Sequence, residues 1–75
     1  MNYKQISKFL SLVLRHHPEE IGLHLDEHGW ASVEELISKL NAREVHVNFV
    51  VLEHVVETND KKRFAFNDDK TLIRA

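Results

Sequence analysis

Two short basic runs are the places in this chain where side chains could hold a phosphate. Arg15 and His16 lie inside Leu14-Arg15-His16-His17-Pro18, and Lys62 and Arg63 lie inside Lys61-Lys62-Arg63-Phe64. A guanidinium stays charged at any ordinary pH and grips two phosphate oxygens at once as a planar fork. An imidazole adds a donor that titrates near neutrality. Taken singly, each run has a plain structural role. Cations in the last turn of a helix offset its negative end by about 0.3–1 kcal/mol. Lys61 to Arg63 suit a solvated turn guarding an edge strand. Taken together, Arg15 and Arg63 could grip one phosphate between them, with His16 as a third donor.

Other chemistries fit these residues poorly. The chain has six histidines but no cysteine, which removes disulfides and thiolate metal sites. His16 and His17 are neighbours, and His24 and His28, though four residues apart, straddle a turn, so no pair sits on a helix as in an HExxH site. No metal is expected. With two glycines in all, neither a phosphate-cradling loop nor a dinucleotide fingerprint can be assembled. No Gly-x-Ser-x-Gly elbow is present. Glu19-Glu20 and Glu34-Glu35 are adjacent acids that would not face each other on a helix, so a solvated face explains them.

The elements that must position the basic runs follow from periodicity. Ile6, Phe9, Leu10, Val13 and Leu14 recur on one helical face, and Pro18 stops that helix near His16. Ile21 to Leu25 alternates like a short strand or extended passage, Asp26-Glu27-His28-Gly29 is a turn, and Trp30-Ala31 is a second extended piece with Trp30 as a core anchor. Ser32-Val33-Glu34-Glu35 reads as a capping box before a helix burying Val33, Leu36, Ile37 and Leu40. Val47, Val50, Val51, His54 and Val55 mark the inner face of a third helix ending near Thr58; β-branched content makes a strand the competing reading, but the 3.6 period and the length favour helix. Lys62 to Phe66 and Thr71 to Arg74 alternate about an Asn67-Asp68-Asp69-Lys70 turn, a β-hairpin whose Phe64 and Phe66 should pack on the third helix. The expected fold is α+β: a winged helix with a three-helix core, a small antiparallel sheet and a C-terminal hairpin wing, one domain over residues 1–75.

Composition narrows the class further. A chain this short buries only about 60% of its extended surface and must rely on one core. No apolar run approaches the roughly 20 residues of a membrane span, so a cytoplasmic protein with no membrane partner is expected. Ten Lys and Arg against twelve Asp and Glu leave a formal charge of −2, without the basic surplus usual in autonomous nucleic-acid binders. Any phosphate site must be a local patch.

The stretch Ser7-Lys8-Phe9-Leu10-Ser11-Leu12-Val13-Leu14-Arg15-His16 with Pro18, then Gly22-Leu23, Leu25-Asp26 and Gly29-Trp30, resembles the opening of the NAD-dependent RNA 2′-phosphotransferase family, as do Lys62-Arg63-Phe64 and Ile73-Arg74-Ala75. The resemblance covers nearly the whole chain. It implies an RNA-side winged-helix lobe whose partner is an ADP-ribosyltransferase-like NAD lobe, opened in the family by Gln-Gly-His where this chain stops at Ala75. It implies a transferase acting on the internal 2′-phosphate left at a tRNA splice junction. NAD is the co-substrate, and the products are 2′-OH RNA, ADP-ribose cyclic phosphate and nicotinamide. Arg15, His16 and Arg63 match family positions tied to activity, Lys62 is a contact for the RNA backbone, and Arg74 is a weaker phosphate contact. This chain alone is then expected to bind 2′-phosphorylated RNA, to bind no NAD, and to be inactive. A function of another class stays open, a winged-helix module docking on DNA or protein. The acids Glu53 and Glu57 on its third helix argue against DNA.

Overall fold

The computed structural model describes residues 2–59 and 61–75. Helix α1, Tyr3–Ser11, begins at a reciprocal cap absent from the expected pattern. The Asn2 side chain accepts from the Gln5 amide at 2.8 Å, and the Gln5 side chain accepts from the Asn2 amide at 3.1 Å. Ile6 and Leu10 are buried along its inner face, followed by Val13 and Leu14. The next five residues, Leu12–His16, widen into a π-helix, and the His17 amide reaches back to the Leu12 carbonyl at 2.7 Å. Pro18 then opens a short 3-10 turn, Pro18–Glu20.

The strand expected over Ile21 to Leu25 does not form. Gly22 turns left-handed with φ 68° and the Leu23 amide bonds the Pro18 carbonyl at 2.9 Å, so the segment curls over the helix end. Its alternation still governs burial, since Ile21 and Leu23 are buried while His24 is exposed. Only Leu25 makes a bridge, to Ala31. The turn that follows is held by the Asp26 carboxylate, which accepts from the His28 amide at 2.8 Å and the Trp30 amide at 2.9 Å. Those bonds hold its pKa below the ordinary carboxylate value, that from Trp30 most strongly. Gly29 closes the turn at φ 86°; a Cβ there would meet nothing, so backbone conformation selects glycine.

Strand β1, Ala31–Ser32, leads into α2, Val33–Ala42. Ser32 Oγ accepts from the Glu35 amide at 3.1 Å, as expected of a cap. The reciprocal half is missing, because Glu35 turns instead to His24, accepting from its ring at 2.7 Å and its amide at 3.3 Å. Helix α3, Phe49–Thr58, is capped by Asn48, whose side chain accepts from the Val51 amide at 2.9 Å. It buries Leu52, Val55 and Val56, a face rotated from the expected one. Val50 is 70% exposed and His54 is also outside. Six of the eight positions from 49 to 56 are apolar, so periodicity identifies the helix without selecting its buried face.

Strands β2, Ala65–Phe66, and β3, Leu72–Arg74, complete an antiparallel sheet of order β1-β3-β2. The last strand is the central one. Ile73 lies opposite both Ala31 and Phe66 and is fully buried. Leu10, Leu36, Leu40 and Leu52, all at 0% exposure, join it in one core between the three helices and the sheet. Phe64 enters that core, while Phe66 packs at its edge with its ring 6.0 Å from that of Phe49 at the start of α3. The β2 strand is shorter than expected because Lys62 takes a left-handed conformation, φ 50°, which interrupts extended pairing. Trp30 is not a core anchor. It is half-buried, with the Arg74 guanidinium 5.2 Å from its ring centre. The architecture is α+β, and among the described residues no helix is long and apolar enough to cross a membrane.

Candidate functional site

Arg15 and His16 are displayed by the π-helix that ends α1. Val13 and Leu14 are buried beneath them, and both basic side chains stay exposed. An amide reaching five residues back is rare in helices and often accompanies functional sites. Neither residue is paired with a carboxylate among the described residues, whereas the neighbouring His17 is bound to Glu19 at 2.9 Å. That bond and a backbone amide hold Glu19 below its ordinary pKa, the backbone contributing most.

Arg63 lines an open groove of about 520 Å3 whose lining includes neither Arg15 nor His16. Lys4, Ser7 and Lys8 of α1 form one wall, and Lys61 and Arg63 form the other. Asn59 joins the two walls. Its side-chain amide donates to Ser7 Oγ at 2.9 Å, and its side-chain oxygen accepts from the Arg63 amide at 3.0 Å. The Lys62 amide also bonds the Asn59 carbonyl at 3.1 Å. Arg63 is thereby tied by its backbone to a helix more than fifty residues earlier in the chain.

Arg63 lines the groove; Arg15, His16, Lys62 and Arg74 do not. Arg15 lies seven residues beyond Lys8, roughly 10 Å farther along the helix axis. Lys62 is exposed beside Arg63, and Arg74 rests on Trp30 across the sheet. Lys4, Lys8 and Asn59 escaped the sequence reading. For the two lysines a signal was available: positions 4 and 8 are one helical turn apart, opposite the apolar stripe. Among the described residues, no group of His, Asp and Glu side chains could hold a metal.

The family model described as RNA 2′-phosphotransferase, Tpt1 / KptA family, matches residues 2–75. The chain belongs to this family. A probable RNA 2′-phosphotransferase of Flavobacterium johnsoniae is 64% identical over 72 residues, which is 96% of this chain and 40% of the relative. Proteins of the same description from Fusobacterium nucleatum and Pseudomonas syringae pv. tomato are 49% and 54% identical, over 99% and 100% of this chain. The chain spans about two fifths of the length of these curated relatives. Within the RNA 2′-phosphotransferase family, then, it corresponds to a part built as one core with two exposed basic regions.

Proposed function

We propose that this chain is the RNA-side lobe of an RNA 2′-phosphotransferase, in which Arg15, His16 and Arg63 hold the internal 2′-phosphate of an RNA. The observation that carries the reading is the pair Arg15 and His16, presented without carboxylate partners among the described residues on a π turn seated over buried Val13 and Leu14. The fold is read as a winged helix. In support, a helix, a short strand, two helices and a two-stranded hairpin follow in that order, with the last strand central in the sheet.

The work asked of these residues is positioning and charge neutralisation. A phosphate monoester carries close to two negative charges at neutral pH, so it needs cations already in place to be held in one orientation. The Arg15 and Arg63 forks supply that orientation, His16 adds a third donor, and Lys62 contacts the RNA backbone. Arg74 is a weaker contact, since its guanidinium is engaged by Trp30. NAD would supply the acceptor: the 2′-phosphate displaces nicotinamide from its ribose, and the neighbouring ribose hydroxyl then displaces the RNA 2′-oxygen, leaving 2′-OH RNA and ADP-ribose cyclic phosphate. We assign NAD to the further length of the relatives. Gly22 and Gly29 each close an isolated turn, which gives a dinucleotide no glycine-rich cradle among these residues.

The test is binding of single-stranded RNA bearing one internal 2′-phosphate, followed by fluorescence anisotropy against the matched 2′-OH strand. The expected outcome is weak, salt-sensitive binding that prefers the phosphorylated strand. Arg15→Ala or Arg63→Ala should lower that preference about 10-fold or more, as for a lost charge-assisted hydrogen bond. Equal affinity for both strands would sink the reading, and release of nicotinamide from NAD by this chain alone would refute its assignment as one lobe.

A further inference from the structure

We infer that the groove between α1 and residues 61–63 is a subsite for the backbone phosphates of single-stranded RNA flanking the 2′-phosphorylated nucleotide, the strand running along Lys4 and Lys8 of α1 toward Arg15 on the π-helix that follows. This rests on the function proposed above and extends it from one phosphate to a track. Four cations, Lys4, Lys8, Lys61 and Arg63, line the groove, and no carboxylate does among the described residues. None of the four is paired with an acid among those residues, whereas Lys70 is bound to Glu53. A net-acidic chain that gathers four unpaired cations in one groove there accepts like-charge repulsion, which a polyanion relieves.

Three features favour a single RNA strand. Lys4 and Lys8 are one helical turn apart, roughly 6 Å, and Arg15 follows on the π-helix that continues α1 beyond the groove. The Asn59 side chain bridges to Ser7, so the two cation-bearing walls keep a set separation before any ligand arrives. Tyr3 also lines the groove, 51% exposed, its ring backed by His54 at 4.6 Å between centroids. Cations tracking a backbone beside an aromatic face are how proteins hold unpaired strands, whose bases are free to stack.

The experiment measures affinity of the 75-residue chain for a single-stranded RNA of about ten nucleotides with one central 2′-phosphate, across a range of salt concentrations. A single-strand phosphate contact adds about 0.7 to the log–log salt slope. Lys4→Gln with Lys8→Gln should therefore lower the slope by about 1.4 and keep the preference for the 2′-phosphate. Lys61→Gln, on the opposite wall, should lower it by about 0.7. All three side chains are exposed, so folding does not depend on them. A parental slope in both variants overturns the groove. Arg15→Ala with its 2′-phosphate preference intact sinks the grip instead, a separate failure. Equal binding of an acidic peptide of matched length and charge overturns the assignment to RNA.

Discussion

The groove beside α1 and the hollow beside the β2–β3 turn are similar in size, about 520 and 480 Å3, but their charges are used differently. The second hollow is lined by Trp30, Phe66, Asn67, Asp68 and Asp69. Its polar groups are largely engaged in making the turn. Asp69 accepts from the Thr71 hydroxyl at 2.6 Å and amide at 3.2 Å, and these bonds, the hydroxyl's first, hold its carboxyl below the ordinary value. Asn67 bonds the Leu72 amide at 2.8 Å and Thr71 Oγ1 at 3.2 Å. In the basic groove the neutral side chains of Asn59, Ser7 and Thr58 are bonded in this way, and the cations around them have no acid partner among the described residues. A charge already bonded within the fold stabilises the fold; one left without a partner remains available to a ligand.

The two phenylalanines bounding these regions should separate them most strongly. Phe64 is 5% exposed and anchors the end of the basic segment, so Phe64→Ala should cost about 3–5 kcal/mol in urea unfolding. Phe66 is only half-buried against Phe49, and Phe66→Ala should cost roughly half as much. Equal losses would mean that the two walls are equally integral to the core.

The two asparagines sharpen the comparison at smaller cost. Asn59→Ala and Asn67→Ala each remove two side-chain hydrogen bonds and should each destabilise by about 1–2 kcal/mol. Only Asn59→Ala should also weaken binding of 2′-phosphorylated RNA in anisotropy, because it releases Arg63 from α1. If Asn67→Ala weakens binding as much, the hollows are not distinct in use.

The smallest effect is in acid. Glu35, held mainly by the His24 side chain, and Asp69 have lowered pKa values in the folded protein. Their contribution to stability is therefore complete above the ordinary values of 4.5 and 3.8 and is lost as the pH falls through the lowered ones. Glu35→Gln and Asp69→Asn should each shrink the drop in melting temperature between neutral pH and about pH 3. Arg63→Gln in the groove should leave that drop unchanged.

Elements were easier to read from sequence than their faces or partners. The stripe of Ile6, Leu10, Val13 and Leu14, the Ser32 cap and the Asn67 to Lys70 turn all stand where local chemistry places them. Glu35 was misread as half of a capping box because its competitor, His24, is eleven residues away in sequence. Val50 was misread as core because a helix apolar on most sides offers several possible inner faces. Arg15 and Arg63 were visible as phosphate-binding types, but that Lys4 and Lys8 line a groove with Arg63 was not, since they come from the other end of the chain.

By itself the sequence determined the helices, the hairpin, the family and the two basic runs, because periodicity, caps and turn residues act over a few positions and motif order survives without a structure. Only the tertiary structure decided which cations share a groove and which carboxylates are already engaged. Those outcomes depend on contacts such as Asn59 to Ser7 and Lys70 to Glu53, whose partners lie many residues apart and meet only once the core of Leu10, Leu36, Leu52 and Ile73 has closed.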